Sequence, residues 1–176
     1  MSNDPLYGLP EVPSFTVTSE DFAEGEFWKL PQMSGLFGVE GGEDRSPELS
    51  WSGAPENTLS YAVTVFDPDA PTQSGFWHWS VANIPADVTA LAPGVGNPEG
   101  AGLPPGAIQY HHDGGASGFV GAAPPPGHGV HRYYVMVHAL DVADIGVPAE
   151  ATPAFLNFNI AGHILARAVL MGNAKR

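Results

Sequence analysis

The sequence predicts a mainly β protein, two packed antiparallel sheets closed by a C-terminal helix, and three observations carry this reading. Apolar and β-branched runs are short; 22 Gly and 18 Pro punctuate them; and the apolar period lengthens only after Thr152. Hydrophobic residues make up 43% of the chain and include four Trp, which supplies a core and excludes a disordered chain of the same Gly and Pro content. A chain of 176 residues is expected to form one domain, spanning 15–176. Ahead of it, 1–14 reads as an extended arm, because Pro5, Pro10 and Pro13 forbid a regular helix.

Phe15 to Thr18, Phe27 to Leu30 and Leu36 to Val39 read as the first short strands, followed by a polar loop from Glu40 to Pro47. Ser60 to Phe66 is clearer. It places Tyr61, Val63 and Val65 on one face and Ala62, Thr64 and Phe66 on the other, so it is a central strand covered on both sides. Continuing its phase puts Asp67 on the face of Val63 and Val65, an unusual place for a charge. Phe76 to Asn83 and His131 to Leu140 are two further strands, free of internal Gly and Pro. Between them, Ile84 to Ala107 holds five Pro and five Gly; no regular element is expected there, and its length suggests a lining role. Thr152 as N-cap, Pro153 at the first helical position and the spacing of Phe158, Ala161, Leu165 and Ala168 predict a terminal helix that Gly172 stops.

The formal charge of −13, from 19 acidic residues against six Lys and Arg, argues against nucleic acid and against an anionic membrane surface as partners. The acidity itself reads as a solubility device or an adaptation to high salt. Without cysteine there is no disulfide, thiolate metal site or Cys nucleophile. The first residues have neither the basic nor the apolar region of a secretory signal, and Phe155 to Leu170 is too polar and short to span a bilayer. A cytoplasmic protein with no integral membrane segment is expected.

Three segments carry chemistry-bearing residues. Asp67-Pro68-Asp69-Ala70-Pro71 is a strand end entering a loop stiffened by two prolines. Trp77-His78-Trp79 sets an imidazole between two indoles. Ala123 to Tyr133 runs a Pro- and Gly-rich loop into a strand whose phase puts His131 and Tyr133 on one face and Arg132 on the other. In order and spacing these blocks resemble the signature segments of the phosphatidylethanolamine-binding protein family, in its bacterial, Raf-kinase-inhibitor-like branch. Ser46 to Trp51, Asn83-Ile84-Pro85 and Val137 to Asp141 extend the likeness over roughly Phe15 to Gly172.

The resemblance implies a shallow pocket for phosphate-like and carboxylate anions, walled by Asp67, Asp69, His78, Pro125, His131 and Tyr133, with Gly121 lending backbone to the rim. In it each Asp orients a His proton, so that the imidazole donates a charge-assisted bond to the anion, and a spare carboxylate accepts the ammonium of an ethanolamine headgroup. Two departures stand out. No aromatic follows Phe158, where family members carry a Tyr lid near the C-terminus, and Ala122-Ala123 with His128 alter the rim.

The expected ligand is a small anion or phospholipid headgroup. The alternative is an inhibitor or signalling partner of a protease or kinase, and the resemblance also implies a homodimer. An enzyme is the least supported reading: Asp and His have acid–base potential, but Ser80 lacks a nucleophile elbow and no His pair has helix-face spacing for a metal. No catalytic residue, metal or cofactor is expected. His111-His112-Asp113 reads as a solvated turn, His163 as a packing or capping residue of the helix, and His138 as lying on the face opposite His131.

Overall fold

A computed structural model describes residues 3–176. Its larger sheet has five antiparallel strands: β3 (Ser60–Asp67), β4 (Phe76–Pro85), β6 (Ile108–Gln109), β7 (His131–Leu140) and β8 (Ile164–Ala174), in the order β6-β4-β3-β7-β8. The smaller sheet is β1 (Thr16–Thr18), β2 (Leu49–Ser52) and β5 (Ala90–Leu91), in the order β1-β2-β5. As its two apolar faces require, β3 is central, and only Phe66 along it is more than slightly exposed.

The main core lies between the sheets, where Val63, Val65, Trp79, Val135 and Val137 meet Leu49, Trp51 and Leu91. A smaller apolar cluster covers the outer face. There α1 (Pro153–Ile160) sets Leu156 and Ile160 against Ala62, Ala82 and Leu140. The Thr152 side chain caps α1 by accepting from Phe155 N–H at 3.2 Å, with Pro153 in the first turn as its fixed φ allows.

Several expectations about local structure are corrected. The helix ends at Ile160, and the stretch expected to prolong it is strand β8, paired with β7 from Leu140↔Ile164 to His131↔Ala174. Ala166, Ala168, Leu170, Gly172 and Ala174 are its buried alternate positions, so Gly172 lies inside a strand and is no helix stop. The expected strands at 27–30 and 36–39 are a 3-10 turn, Leu30–Gln32, and an irregular turn; Pro31 has no N–H to give a ladder, and Gly38 sits at φ 80°. Within 84–107, Ile84 and Pro85 finish β4, and Ala90–Leu91 supplies the edge strand β5.

The register of β3 on β4 carries the feature that matters most. Phe66 pairs with Trp77 and Val65 with Trp79, so β4 has one extra residue, His78. Such a bulge breaks alternation and re-aims a side chain. Trp79 is fully buried between the sheets, whereas Trp77 faces outward. His78 swings to the inner side, beside Tyr133.

Candidate functional site

Strand ends of β3, β4 and β7 meet at one edge of the sheet and enclose a pocket of about 140 Å³ lined by Asp67, His78, His131, Tyr133, Pro125 and Phe76, among others. Asp67 ends β3 with its side chain inward, as strand phase requires, and is 2% exposed. Its buried charge is held on every side: Oδ1 accepts from the N–H groups of Asp69 (2.8 Å) and Ala70 (3.1 Å), and Oδ2 accepts from His131 Nδ1 at 2.7 Å. The loop stiffened by Pro68 and Pro71 thus folds back onto its own first residue.

With Nδ1–H committed to Asp67, His131 has only Nε2 for other partners. That atom lies 2.7 Å from Nδ1 of His128, on the exposed Pro125–Gly129 loop. One proton serves this contact, and Asp67, His131 and His128 form a line from the buried carboxylate to solvent.

His78 is fixed differently. Its main-chain oxygen accepts from Val120 N–H at 3.0 Å, and its Nδ1–H donates to Val120 O at 2.8 Å. Burial pushes its pKa down to about 4, so at neutral pH the ring is uncharged and only Nε2, a lone pair, remains for a ligand. Tyr133 is 1% exposed and packs on His78 at 5.1 Å and on Trp28 at 4.6 Å between ring centroids. Burial, with the Asp67 carboxylate nearby, raises its hydroxyl pKa, so it stays a protonated donor.

Asp69 does not line the pocket. Its carboxylate takes the Arg132 guanidinium in bidentate fashion, Nε at 2.8 Å and a terminal nitrogen at 2.7 Å, and also accepts Arg132 N–H at 3.0 Å. The guanidinium holds the Asp69 carboxyl below the usual range. Arg132 points to the face opposite His131, as its phase requires, and there also donates to the Asn3 main-chain oxygen at 3.0 Å. With Asp67 and Asp69 both fully engaged, neither is the spare carboxylate expected for an ammonium.

Gly121 lies behind the pocket. Its N–H donates to Asp44 at 2.8 Å, and its Cα presses on Met33, whose carbonyl carbon a Cβ would meet at 2.4 Å. It is a close-packing glycine whose amide is already used.

Phe37 and Phe76 are among the wall residues that sequence reasoning missed, and Phe37 comes from the most distant part of the sequence. It stands edge-on to Phe76 at 6.1 Å, is 45% exposed and lines the mouth. The glycines around it mark a loop, but nothing in the spacing ties that loop to Phe76. Arg176 closes the same side: its main-chain oxygen accepts from Gly127 N–H at 3.1 Å, and its guanidinium donates to Gly38 O at 3.1 Å.

The other histidines lie elsewhere. His112 is buried at 6% exposure, with Nδ1 accepting from Gly114 N–H at 2.9 Å, and so is not solvated as expected; the turn folds onto Trp77, whose main-chain oxygen takes Asp113 N–H. His163 follows the helix rather than sitting in it and pairs with Asp141 at 2.7 Å. His138 faces outward, away from the pocket. Among the described residues no cluster of three or more His, Asp or Glu is disposed to hold a metal, and no helix is long and apolar enough to cross a membrane.

The sequence model of the phosphatidylethanolamine-binding protein family matches residues 18–175. The protein YbcL of Escherichia coli (strain K12) is 44% identical over 158 residues, covering 90% of this chain and 86% of its own. YbhB of the same organism is 44% identical over 151 residues, covering 85% and 93%. The crystal structure of YbcL, described as a new member of the mammalian PEBP family, superposes with a TM-score of 0.90 at 42% identity and covers 93% of this chain and 99% of that one. A putative homologue from Chlamydia trachomatis, CT736, gives a TM-score of 0.77 at 30% identity, covering 93% and 98%.

Proposed function

The chain belongs to the phosphatidylethanolamine-binding protein family, and on that premise we propose that its pocket binds small phosphate-like or carboxylate anions, phospholipid headgroups included, without catalysing their turnover. The observation that carries this reading is the buried Asp67–His131 pair opening into the same cavity as His78 and Tyr133. Asp67 fixes the His131 tautomer, so Nε2 is the atom offered to a ligand, and a ligand oxygen reaches it by displacing His128 from the exposed loop.

The neutral His78 ring refines the ligand class. Its Nε2 accepts a hydrogen bond, which favours anions that carry a proton of their own, such as hydrogen phosphate and phosphomonoesters, over sulfate. The cavity of about 140 Å³ admits a headgroup but not an acyl chain. The reading as a protease inhibitor has a fold neighbour in the carboxypeptidase Y inhibitor bound to its proteinase, but at 15% identity that likeness shows the fold alone. A homodimer belongs to the same proposal, and light scattering at twice 18.4 kDa is its signature.

The test is His131→Ala with inorganic phosphate, followed by calorimetry. Affinity should fall at least several-fold; because the change also strips buried Asp67 of a partner, binding is read well below the lowered melting temperature. Unchanged affinity would move the anion away from this pocket.

A further inference from the structure

Behind the anion pocket, on the outer face of the large sheet, lies a second cavity of about 270 Å³. Phe66, Trp77 and Met136 form its wall, and Leu9, Pro10 and Val12 of the arm form its roof. The lining is apolar except for Asn157 and for His138 and Arg167, the last two standing directly opposite each other in the β7–β8 register. His138 is 2% exposed, and its Nδ1 has no hydrogen-bond partner among the described residues; the same is true of buried Arg167 Nε. Orphaned polar atoms beside an apolar cavity mark a place where a partner is missing.

The missing partner is an anion. Among the described residues the ion pairs are His131–Asp67, Arg132–Asp69 and His163–Asp141, so no carboxylate meets Arg167. Supply is not the reason, for the chain has 19 Asp and Glu to six Lys and Arg. Burial lowers the Arg167 pKa, the mark of a guanidinium without compensation, and holds His138 at about 3, leaving Arg167 as the one charge among the described residues of the cavity.

We propose that this cavity binds a small apolar carboxylic acid, its carboxylate on the Arg167 guanidinium and its hydrocarbon body against Trp77, Phe66, Met136 and the arm. A guanidinium fork matches a carboxylate in two parallel bonds, whereas a phosphate dianion needs more donors than this wall offers. The volume holds about nine water-sized groups at about 30 Å³ each, which sets the ligand near the size of octanoate. The arm is fastened at both ends of the roof. Arg167 exchanges main-chain bonds with Pro13 and Phe15 at one end, and Arg132 holds the Asn3 oxygen at the other.

Octanoate titrated into the full chain, read by calorimetry and by Trp77-sensitive fluorescence, tests this. One molecule should bind saturably, and 1-octanol, which has the same chain without the charge, at least about tenfold more weakly, a difference that a charge-assisted pair supplies. Arg167→Met keeps an unbranched apolar stem without the charged head and should lower octanoate affinity by about tenfold or more, while phosphate still binds at the His131 pocket. Absence of saturable octanoate binding, octanol binding as well as octanoate, or phosphate displacing octanoate would each overturn the proposal. The octanoate–octanol comparison on the unaltered protein decides the matter should Arg167→Met fail to fold.

Discussion

Lowering the pH from 7 to 5 should destabilise the fold by about 4 kcal/mol through two histidines that the fold keeps uncharged. Burial holds His78 at about 4 and His138 at about 3, against an ordinary value of about 6.5. With the folded value below the unfolded one, the unfolded chain takes up each proton first. The stability is therefore fully present above about pH 6.5 and is lost as pH falls from there toward the folded values. At pH 5 each ring costs about 2 kcal/mol, the gap to 6.5 taken at about 1.36 kcal/mol per pH unit. His112, also lowered by burial, acts in the same direction, and Asp69 titrates below this window. A loss of about 4 kcal/mol is a large part of the 5–15 kcal/mol typical of a domain, so urea unfolding at pH 7, 6 and 5 resolves it easily. His138→Gln removes one of the two titrations and should halve the loss. Stability that is flat from pH 7 to 5, or an equal loss in that variant, would refute the reasoning.

Sulfate, whose charge is constant in this range, should bind more tightly as pH falls from 8 to 5.5, by at most about tenfold per pH unit for one proton taken up. His78 is not the group that takes it up, because burial holds its pKa at about 4; a flat profile would leave backbone N–H groups to hold the anion. His128→Ala removes the internal competitor for His131 Nε2 and should raise phosphate affinity several-fold at neutral pH, whereas a fall would make His128 a contact of the ligand itself. Gly172→Ala puts a methyl 2.1 Å from Nε1 of buried Trp28 and should cost about 1–3 kcal/mol of unfolding free energy; a melting curve that matches the parent would show that Trp28 moves aside freely.

Strand phase carried much of this molecule from the sequence. Alternation alone placed Asp67 with Val63 and Val65, put His131 and Tyr133 on one face, and turned Arg132 and His138 to the other. It failed where the period is broken or degenerate. The bulge at His78 needs one extra residue in a run with no Gly or Pro to mark it, so nothing local separates Trp77 from Trp79. After Ile160 the run is rich in Ala and Gly, and small apolar residues satisfy a three-to-four spacing and an alternation equally well. Pairing with β7, a long-range fact, settled it as β8. His112 looked solvated because its burial comes from a turn folding back on Trp77. Likewise, Asp69 was expected as a pocket wall from the family resemblance, and its capture by Arg132 on the other face is a pairing that the motif does not mark.

That last case shows how the two faces depend on each other. Asp67 and His78 look into the anion pocket, and the residues before them in sequence, Phe66 and Trp77, wall the cavity behind it. A regular β4 would carry Trp77 and Trp79 on one face and His78 on the other; the bulge gives the inner face His78 and the outer face an indole. The loop that presents Asp67 is then held from behind, by Asp69 on Arg132 and by Asn3 bonding both the Pro68 oxygen and Arg132. Asp69 thus acts on the pocket as a tether. It fixes the Pro68–Ala70 segment, whose amides neutralise Asp67, and Asp67 in turn fixes the His131 proton. The geometry of the inner pocket is set by an ion pair on the outer face, and the arm that roofs the cavity is one of its fastenings.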